Sequence, residues 1–280
     1  MPYAVDWIEA AHARDEHLGV WERNLLLPVT ARRRFDWLYR DNPAGPGRLA
    51  VLRATSADRT AFVGTAGYAV RALDVGGEAR RAALLADLAV DRAHRTAMPA
   101  LMLLRAVRAD VLARQDAVYG FPNPQADPLL RRLGYRLLGQ TRRFVLVFGH
   151  RRHIGETLRE KLGAAWGARA TPVASIALDV VRAALVAGLA AQAAVTHRLQ
   201  FVTEVEVDER FDRLWQTARS DYPVVGVRDA AFVRWRFLGC PEGPMELAVM
   251  QARKSDQLEG YAVISRAQGV AHVRDLFAPR

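Results

Sequence analysis

The chain has 280 residues, 51% of them hydrophobic and 25% charged, which is enough to bury a sizeable core in one large domain or two of ordinary size. The net charge of +10 comes almost entirely from arginines spread along the chain, so the signal for nucleic-acid binding is weak. The single cysteine, Cys240, excludes an intramolecular disulfide and any cysteine-based metal cluster. A small ligand that carries phosphate would suit the positive charge equally well.

The hydrophobic spacing predicts strands and helices that alternate through the first half of the chain. Residues 1–40 carry helical spacing, a turn follows at 42–47, and Gly134 provides a left-handed cap for the short helix before it. Strands joined by helices in this order predict a mixed α/β layer. The predicted strands are Leu49–Thr55, Ala61–Leu73, Ala82–Val90, Ala117–Phe121, Tyr135–Leu138 and Arg143–Phe148, and the predicted helices are Thr96–Gln115 and Gln125–Leu133.

An Ala-rich helical region follows and needs a test for membrane insertion. Ala174–Val195 is long enough to span a bilayer, but Asp179 and Arg182 would each cost roughly 2.5–3.5 kcal/mol at the bilayer centre. We therefore expect a buried or half-buried helix here, no membrane span, and a soluble cytoplasmic protein. A strand near Phe201 and a helix over Phe211–Arg219 are predicted next.

The chain also repeats itself. Its longest repeated block runs without a gap and is identical at seven positions, beginning with Trp37 in the first copy and Trp235 in the second. Chance is a poor explanation, because three blocks recur in the same order. We interpret the two tryptophans as core anchors. The matching blocks are Trp37–Val51 with Trp235–Val249, Gly67–Val70 with Gly260–Val263, and Asp87–Leu88 with Asp275–Leu276.

The second copy is shorter than the first. The residues that follow Asp87 in the first copy have no counterpart before the last residue, Arg280. We therefore predict a complete domain over 1–150, a helical linker over 151–198 and a partial second domain over 199–280. A half-domain leaves an unpaired sheet edge, through which the protein could self-associate.

Two motifs in the first copy carry a resemblance to a known family. In Val90–Leu101, VDRAHRTAMPAL, a strand ends in valine and Arg95 precedes small residues that open a long helix. Asn123-x-x-Ala126 lies downstream and is followed by Leu133-Gly134-Tyr135. These segments resemble the acyl-CoA loop and the second motif of the GCN5-related N-acetyltransferases, over about 40–148 and, as the front half of a second copy, 200–280. The resemblance implies a mixed central sheet flanked by helices.

The resemblance also implies acetyl-CoA, or another acyl-CoA, as co-substrate, and no metal. In this family the N–H groups at the start of the long helix bind the pyrophosphate, and glycine lets the backbone approach closely. Here Met98 stands at the central glycine position and Pro99, which lacks an N–H, follows it, so the loop is degenerate. The residues that the resemblance places at the cofactor are Leu88, Ala89, Val90, Arg95, Thr96, Ala97, Met98, Ala100 and Asn123.

Two residues are candidates for catalysis. Leu130 stands where the family often has a tyrosine that protonates the departing thiolate, so Tyr135, our candidate, or Tyr119 or water would serve instead. Asp87 is the candidate general base, because burial in an apolar strand raises the pKa of a carboxyl group. Its recurrence as Asp275, in a copy without a cofactor loop, favours the alternative that Asp87 is structural.

The function implied by the resemblance is transfer of an acetyl or other acyl group from acyl-CoA to a primary amine of a small molecule or peptide. Backbone N–H groups of Asp87–Val90 would stabilise the thioester oxygen. Two alternatives stay open: a catalytically silent copy of the fold that binds or regulates, and an aminoacyl transferase of the Fem type that uses charged tRNA. The tract from His150 to His153 has no carboxylate at ligand spacing, so we interpret it as a solvated linker.

Overall fold

The first half of the chain folds into a sheet with helices on both faces. The computed structural model describes residues 2–57, 59–145, 160–161, 163–196, 199–203, 205–252 and 255–280. The elements of the first half are β1 (Tyr3–Ile8), α1 (Asp15–Asn24), α2 (Ala31–Phe35, continued by a π-helical turn over Asp36–Arg40), β2 (Arg48–Thr55), β3 (Thr60–Val75), β4 (Glu78–Val90), α3 (Ala97–Arg114), β5 (Ala117–Tyr119) and α4 (Asp127–Arg132).

The strands lie in the order β1-β2-β3-β4-β5. All neighbouring pairs are antiparallel except β4 and β5, which run parallel. α3 packs on one face of this sheet, where Leu103, Val107 and Val111 are buried against Leu52 and Val70. The opposite face is covered by α1, α2 and the π-helical turn. The prediction of a mixed α/β layer is confirmed.

Most predicted elements of the first half are confirmed, with two exceptions. Residues 3–8 form β1 instead of continuing the helical spacing, because the extended segment pairs along the free edge of β2 from Tyr3 opposite Ala54 to Ile8 opposite Leu49. The strand predicted at Tyr135–Leu138 is absent, as is its successor over the described residues from Arg143 to 145. A strand needs a hydrogen-bonded neighbour, and these apolar side chains are exposed without one.

The second half contributes a four-stranded sheet in the order β10-β9-β8-β6. A further short strand of the second half, β7, belongs to the first sheet, where it pairs with β3 with Gly226 opposite Leu73. The elements are β6 (Leu199–Thr203), α6 (Glu209–Ala218), β7 (Val224–Gly226), α7 (Ala230–Val233, continued by a π-helical turn over Arg234–Leu238), β8 (Glu246–Ala252), β9 (Leu258–Ala267) and β10 (Val270–Phe277), preceded in the chain by α5 (Ala164–Thr196).

The order β6, α6, α7, π-helical turn, β8, β9, β10 reproduces the order from β1 to β4, except that the short strand β7 is added between α6 and α7. The structural repeat therefore starts at β6, well before the sequence match at Trp235. Gly45 and Gly243, which match in sequence, both have positive φ angles, +119° and +133°. Trp37 and Trp235 are buried in one core, so their prediction as core anchors is confirmed.

The chain divides into two units: 1–136 with 201–251 and 256–280, and 137–200 with 252–255. The second unit consists mainly of α5, in which Ser175–Gln192 is long and apolar enough, by length and composition, to cross a membrane. The prediction of a buried or half-buried helix is wrong, since Leu185 is 64% and Leu189 67% exposed. The described part of this unit offers no sheet or long helix that could cover them.

Candidate active site

The first sheet opens between β4 and β5. The two strands pair in parallel from Ala82 opposite Ala117 to Leu84 opposite Tyr119, and no pairing follows in the described residues. At the point of separation, a Cβ on Gly120 would lie 3.2 Å from the Cβ of Leu85, so glycine lets the departing chain pass close to β4. The edge of β4 beyond this point is left without a strand partner, and its backbone groups are available to a ligand.

A bulge lies on this open edge. The β3–β4 register runs from Gly67 opposite Ala86 to Thr65 opposite Ala89, so Asp87 and Leu88 together oppose one residue of β3. Asp87 adopts a left-handed conformation with φ +55°, which aspartate tolerates better than most residues. The bulge therefore changes the direction of the backbone N–H and C=O groups within the segment that the family resemblance places at the thioester.

The side chain of Asp87 points away from the open edge into the core beneath α2. It is 3% exposed and accepts hydrogen bonds from Arg34 Nε and from the Tyr39 hydroxyl, both at 2.9 Å. The carbonyl oxygen of Asp87 accepts from Thr65 Oγ1 at 3.0 Å, and Thr65 in turn accepts from Trp21 Nε1. Burial raises the pKa of Asp87 and the Arg34 charge opposes that rise. Both carboxylate oxygens are thus occupied.

Asp275 has the same surroundings in the second copy. It accepts a bidentate pair from Arg228 at 3.0 and 3.1 Å and a third bond from the Tyr261 hydroxyl at 3.0 Å. It too follows a register shift, between Val273 and Asp275 in β10. An aspartate held by one arginine and one tyrosine beside a bulge is therefore a recurring device. This recurrence favours the structural role for Asp87.

Sequence reasoning missed Arg34 and Tyr39, the partners of Asp87. The tyrosine could not be found from the repeat, because Tyr39 aligns with Phe237 and the second copy uses Tyr261 instead. The matching residue of the first copy, Tyr68, donates to Asp110 of α3 at 2.7 Å. Arg34 is one of three consecutive arginines in α2, so charge complementarity alone could not single it out as the partner of Asp87.

The predicted pyrophosphate loop leads from β4 into α3. Its Arg95 and Thr96 N–H groups are used inside the loop, by the carbonyls of residues 92 and 94. The first turn of α3 leaves the N–H groups of Ala97 and Met98 without an acceptor in the helix, and Pro99 has none to offer. The Thr96 side chain does not cap the helix. Met98 is 59% exposed at this end, so two donors remain for an anion.

The loop is tied to β4 and α1 by side chains. Arg95 donates from Nε to the carbonyl of Val90 at 2.9 Å and from Nη2 to Asn24 at 3.0 Å. Asp91 forms an ion pair with Arg23 at 2.9 Å. The remaining N–H groups of Arg95 point from an exposed side chain and are free of contacts within the described residues. Arg95 can therefore brace the end of β4 and still bind a phosphate.

Tyr135 and Asn123 lie on the other side of the opening, around α4. The Tyr135 hydroxyl is buried and has no hydrogen-bond partner in the described structure. Burial raises the pKa of Tyr135, so the phenol keeps its proton at neutral pH. The side-chain oxygen of Asn123 accepts from the backbone of Gln125 and Ala126 at 3.1 and 2.9 Å, so it starts the turn that leads into α4. Leu130 is buried in α4.

The remaining predicted residues lie at the end of β4 and at the start of α3. Leu88, Ala89 and Val90 continue the open edge of β4, and Ala100 is buried in the second turn of α3. The histidine and arginine tract at 150–153 lies outside the described residues. Within the described part of the chain, no group of three or more His, Cys, Asp and Glu side chains has the arrangement of a metal site.

No protein-family model and no curated protein matches the sequence. The solved structures that match the whole chain include a conserved protein of unknown function from Enterococcus faecalis V583, described as a probable N-acyltransferase (12% identity, TM-score 0.61), and a GCN5-related N-acetyltransferase from Kribbella flavida (16% identity, TM-score 0.56). This chain spans 59% of the length of each. With its splayed parallel strands, bulged β4 and helix-opening loop, the chain has the fold of the GCN5-related N-acetyltransferases.

Proposed function

We propose that this chain binds an acyl-CoA between β4 and β5 and transfers its acyl group, most simply acetyl, to a primary amine. The observation that carries the proposal is the unpaired edge of β4 beyond Leu84, which leads directly to the N-terminus of α3. An extended pantetheine arm can add to such an edge through backbone hydrogen bonds, as a strand would. The phosphates would then meet the Ala97 and Met98 N–H groups and the positive end of the helix.

The residues fit the cofactor in part. Val90 already gives its carbonyl to Arg95, so pantetheine would use the groups between Leu85 and Ala89. The bulge at Asp87–Leu88 would offer backbone N–H groups to the thioester oxygen of a bound acyl-CoA. Donors fixed in advance in this way stabilise the negative charge that develops when the amine attacks. We infer that Asp87 acts here as a positioning residue, held by Arg34 and Tyr39, and not as the base.

Two contacts fix the position of α3 along β4 relative to the bulge. Leu103 lies below the sheet at Gly64, where a Cβ would be 3.1 Å from its Cδ1, and Gly64 pairs with the last residue of β4. Asp110 accepts from Tyr68, which pairs with Leu85. The stretch of α3 between these contacts therefore runs past the bulge in β4.

Tyr135 interacts electrostatically with Arg108, which lies in the stretch of α3 that runs past the bulge. Tyr135 therefore lies beside the same part of α3 as the bulge. We propose Tyr135 as the group that protonates the departing thiolate. The amine nitrogen forms a bond to the thioester carbon, the carbon–sulfur bond breaks, the sulfur takes the Tyr135 proton, and the nitrogen gives its proton to water. A protonated phenol without a competing partner is suited to this step.

The experiment that tests the proposal is a calorimetric titration of the 280-residue chain with acetyl-CoA. We expect micromolar binding that Arg95→Ala weakens by roughly ten- to a hundredfold, since one charge-assisted contact to phosphate contributes roughly 1.5–3 kcal/mol. Arg92→Ala, an exposed arginine in the same loop, is the matched control and should bind as the unaltered chain does. A folded chain that does not bind millimolar acetyl-CoA would exclude the enzyme.

A silent binding or regulatory module is the second candidate, favoured by one observation: Pro99 removes one N–H donor from the first turn of α3, where Met98 stands at the central glycine position of the family. Failure of the acetyl-CoA titration with retained folding is the result it predicts. The division into domains at 1–150 and 199–280 and the cytoplasmic location also stay proposals. Purification of the intact chain from the soluble fraction would test the location.

A further inference from the structure

Arg71 is an arginine on β3 that lacks a partner. Its Nε atom is buried without a hydrogen-bond partner, and it forms no ion pair within the described residues. Its guanidinium carbon lies 4.3 Å from the centroid of the Phe232 ring, so the guanidinium faces an aromatic ring. Buried polar groups are nearly always hydrogen-bonded, so the unsatisfied Nε–H of Arg71 needs an explanation. A bound anion is one.

Two further arginines lie beside Arg71. A Cβ on Gly226 would lie 3.2 Å from Arg71 Nη2 and 3.7 Å from Arg228 Nη1, so these two positive groups are close neighbours. The guanidinium carbon of Arg236 lies 5.1 Å from the centroid of the Trp37 ring, and Trp37 is linked to Phe232, the ring beside Arg71, through Trp235. The charges of Arg228 and Arg236, after burial, lower the pKa of Arg71. We call Arg71, Arg228 and Arg236 the arginine cluster.

The arginine cluster has more positive than negative charge. Asp275 is the carboxylate nearest to it in the described structure, and both its oxygens are taken by Arg228 and Tyr261. Arg71 and Arg236 therefore keep two charges without a carboxylate partner. Removing a cation from water without a counter-charge is costly, and the three side chains are only half-buried, so an anion can reach them from solvent.

The cluster adjoins the opening between β4 and β5. Arg71 pairs across the sheet with Ala82, which pairs with Ala117 of β5. The last paired residues before the opening, Leu84 and Tyr119, lie two residues further, about 7 Å along the strands. The pyrophosphate loop is at the opposite end of β4, so a molecule held by the cluster approaches the thioester from the side that the cofactor leaves free.

We infer that the arginine cluster binds the oxyanion, a carboxylate or a phosphate, of the amine that accepts the acyl group. That the oxyanion belongs to the acceptor amine rests on the proposed function. That the cluster binds an oxyanion does not. The planar fork of Arg71 matches two oxygens of either group. Phe232 and Trp37 form apolar walls that limit water around the ion pair. Arg228 is already bound to Asp275, so it adds positive electrostatic potential at the cluster from a fixed position.

The first experiment uses inorganic phosphate as the probe, with unfolding temperature and calorimetry at constant ionic strength. We expect saturable binding that raises the unfolding temperature of the unaltered chain. Arg71→Gln and, separately, Arg236→Gln should weaken that binding by at least about tenfold. Arg105→Gln, an exposed arginine on α3, is the matched control and should respond as the unaltered chain does.

Two variants keep the test decisive if one of them does not fold. Equal phosphate binding by the unaltered chain and both cluster variants would overturn the inference, as would no saturable binding by the folded chain. A structural role for Arg71 as a packing contact predicts a lower unfolding temperature in Arg71→Gln at every phosphate concentration. The inference predicts that the difference between the two chains grows as phosphate is added.

The second experiment measures acetyl transfer to matched amines: β-alanine against its amide, and phosphoethanolamine against ethanolamine. We expect kcat/KM to favour one anionic member by about tenfold or more, which identifies the oxyanion, and the cluster variants to lose that preference. An equal preference in Arg71→Gln would overturn the assignment to the acceptor. If the chain binds phosphate but not acetyl-CoA, only the proposed function is rejected. If it binds acetyl-CoA but not phosphate, only the anion site at the arginine cluster is rejected.

Discussion

Trp37 and Trp235 donate hydrogen bonds to each other's backbone. Trp37 Nε1 donates to the carbonyl of Trp235 at 2.9 Å, Trp235 Nε1 donates to the carbonyl of Trp37 at 2.7 Å, and their rings stack with centroids 5.3 Å apart. Both residues lie in π-helical turns that match in sequence. A reciprocal contact between equivalent residues is the arrangement of a local two-fold axis, so the two copies meet as a symmetric dimer would.

The first prediction concerns this tryptophan pair. Trp37→Phe and Trp235→Phe should each lower the free energy of unfolding by about 1–2 kcal/mol, because each leaves a buried carbonyl without its donor. The two losses should not add, since both variants disturb the same stacked pair. Denaturant unfolding of the two single variants and the double variant measures the coupling. Strict additivity would mean that the two contacts are independent.

The second prediction separates positioning from stability at Asp87. Asp87→Asn should lower the free energy of unfolding by roughly 2–4 kcal/mol, because it leaves Arg34 in the core with only Glu242 at 3.3 Å. It should also weaken acetyl-CoA binding through the bulge. Asp74→Asn breaks a similarly buried pair with Arg219, at 3.1 Å, and is the control that should lose stability alone. Equal binding in both variants would contradict the positioning role.

The third prediction concerns Pro99 in the first turn of α3. Pro99→Ala adds an N–H beside those of Ala97 and Met98, so acetyl-CoA should bind up to about tenfold more tightly. Pro128→Ala makes the same change in the first turn of α4 and should leave the affinity unaltered. Calorimetry of both variants makes the comparison. Unchanged affinity in Pro99→Ala would place the phosphates elsewhere.

The fourth prediction tests Tyr135 as the acid. Tyr135→Phe should lower kcat by about a hundredfold while KM for acetyl-CoA stays the same, because only the proton is removed. Its unfolding temperature should hold or rise, since the lost hydroxyl has no partner in the described structure. Steady-state kinetics and thermal unfolding give the two readouts. A loss of kcat in Tyr119→Phe instead would assign the acid to the other tyrosine.

The fifth prediction concerns pH and His17, which is 2% exposed in α1. Burial lowers the pKa of His17 below its ordinary value of about 6.5, so the folded protein holds it neutral. A lowered pKa contributes stability that is complete above about pH 6.5 and is lost as the pH falls towards the folded value, by about 1.4 kcal/mol per pH unit at most. His17→Phe, which keeps an aromatic ring at this buried position but cannot titrate, should flatten this dependence. Thermal unfolding between pH 5 and pH 8 measures it.

The charge excess of the arginine cluster explains a feature that composition alone left open. The net charge of +10 fitted several classes of partner equally well. In the structure Arg71 and Arg236 are half-buried, yet neither forms an ion pair with a carboxylate within the described residues. The informative quantity is therefore the local balance of charge at a half-buried place, which sequence counts do not contain.

The sequence by itself determined the strands from Leu49 to Val90, the helix from Ala97 and the repeat headed by Trp37 and Trp235. These depend on local periodicity, turn residues and short-range backbone geometry, which the chain encodes within a few residues. It also placed Asp87 just before the loop and favoured a structural role for it, because the same aspartate recurs at 275.

Only the tertiary structure decided which residues meet. Tyr39 and Arg34 reach Asp87 from α2, Arg71 comes together with two arginines that follow it by more than a hundred and fifty positions, and β1 exists because β2 offers it an edge. The long apolar helix α5 is exposed because the described part of its unit has nothing to cover it. Contacts of this kind depend on how separate elements pack in space, and no local pattern in the chain carries that information.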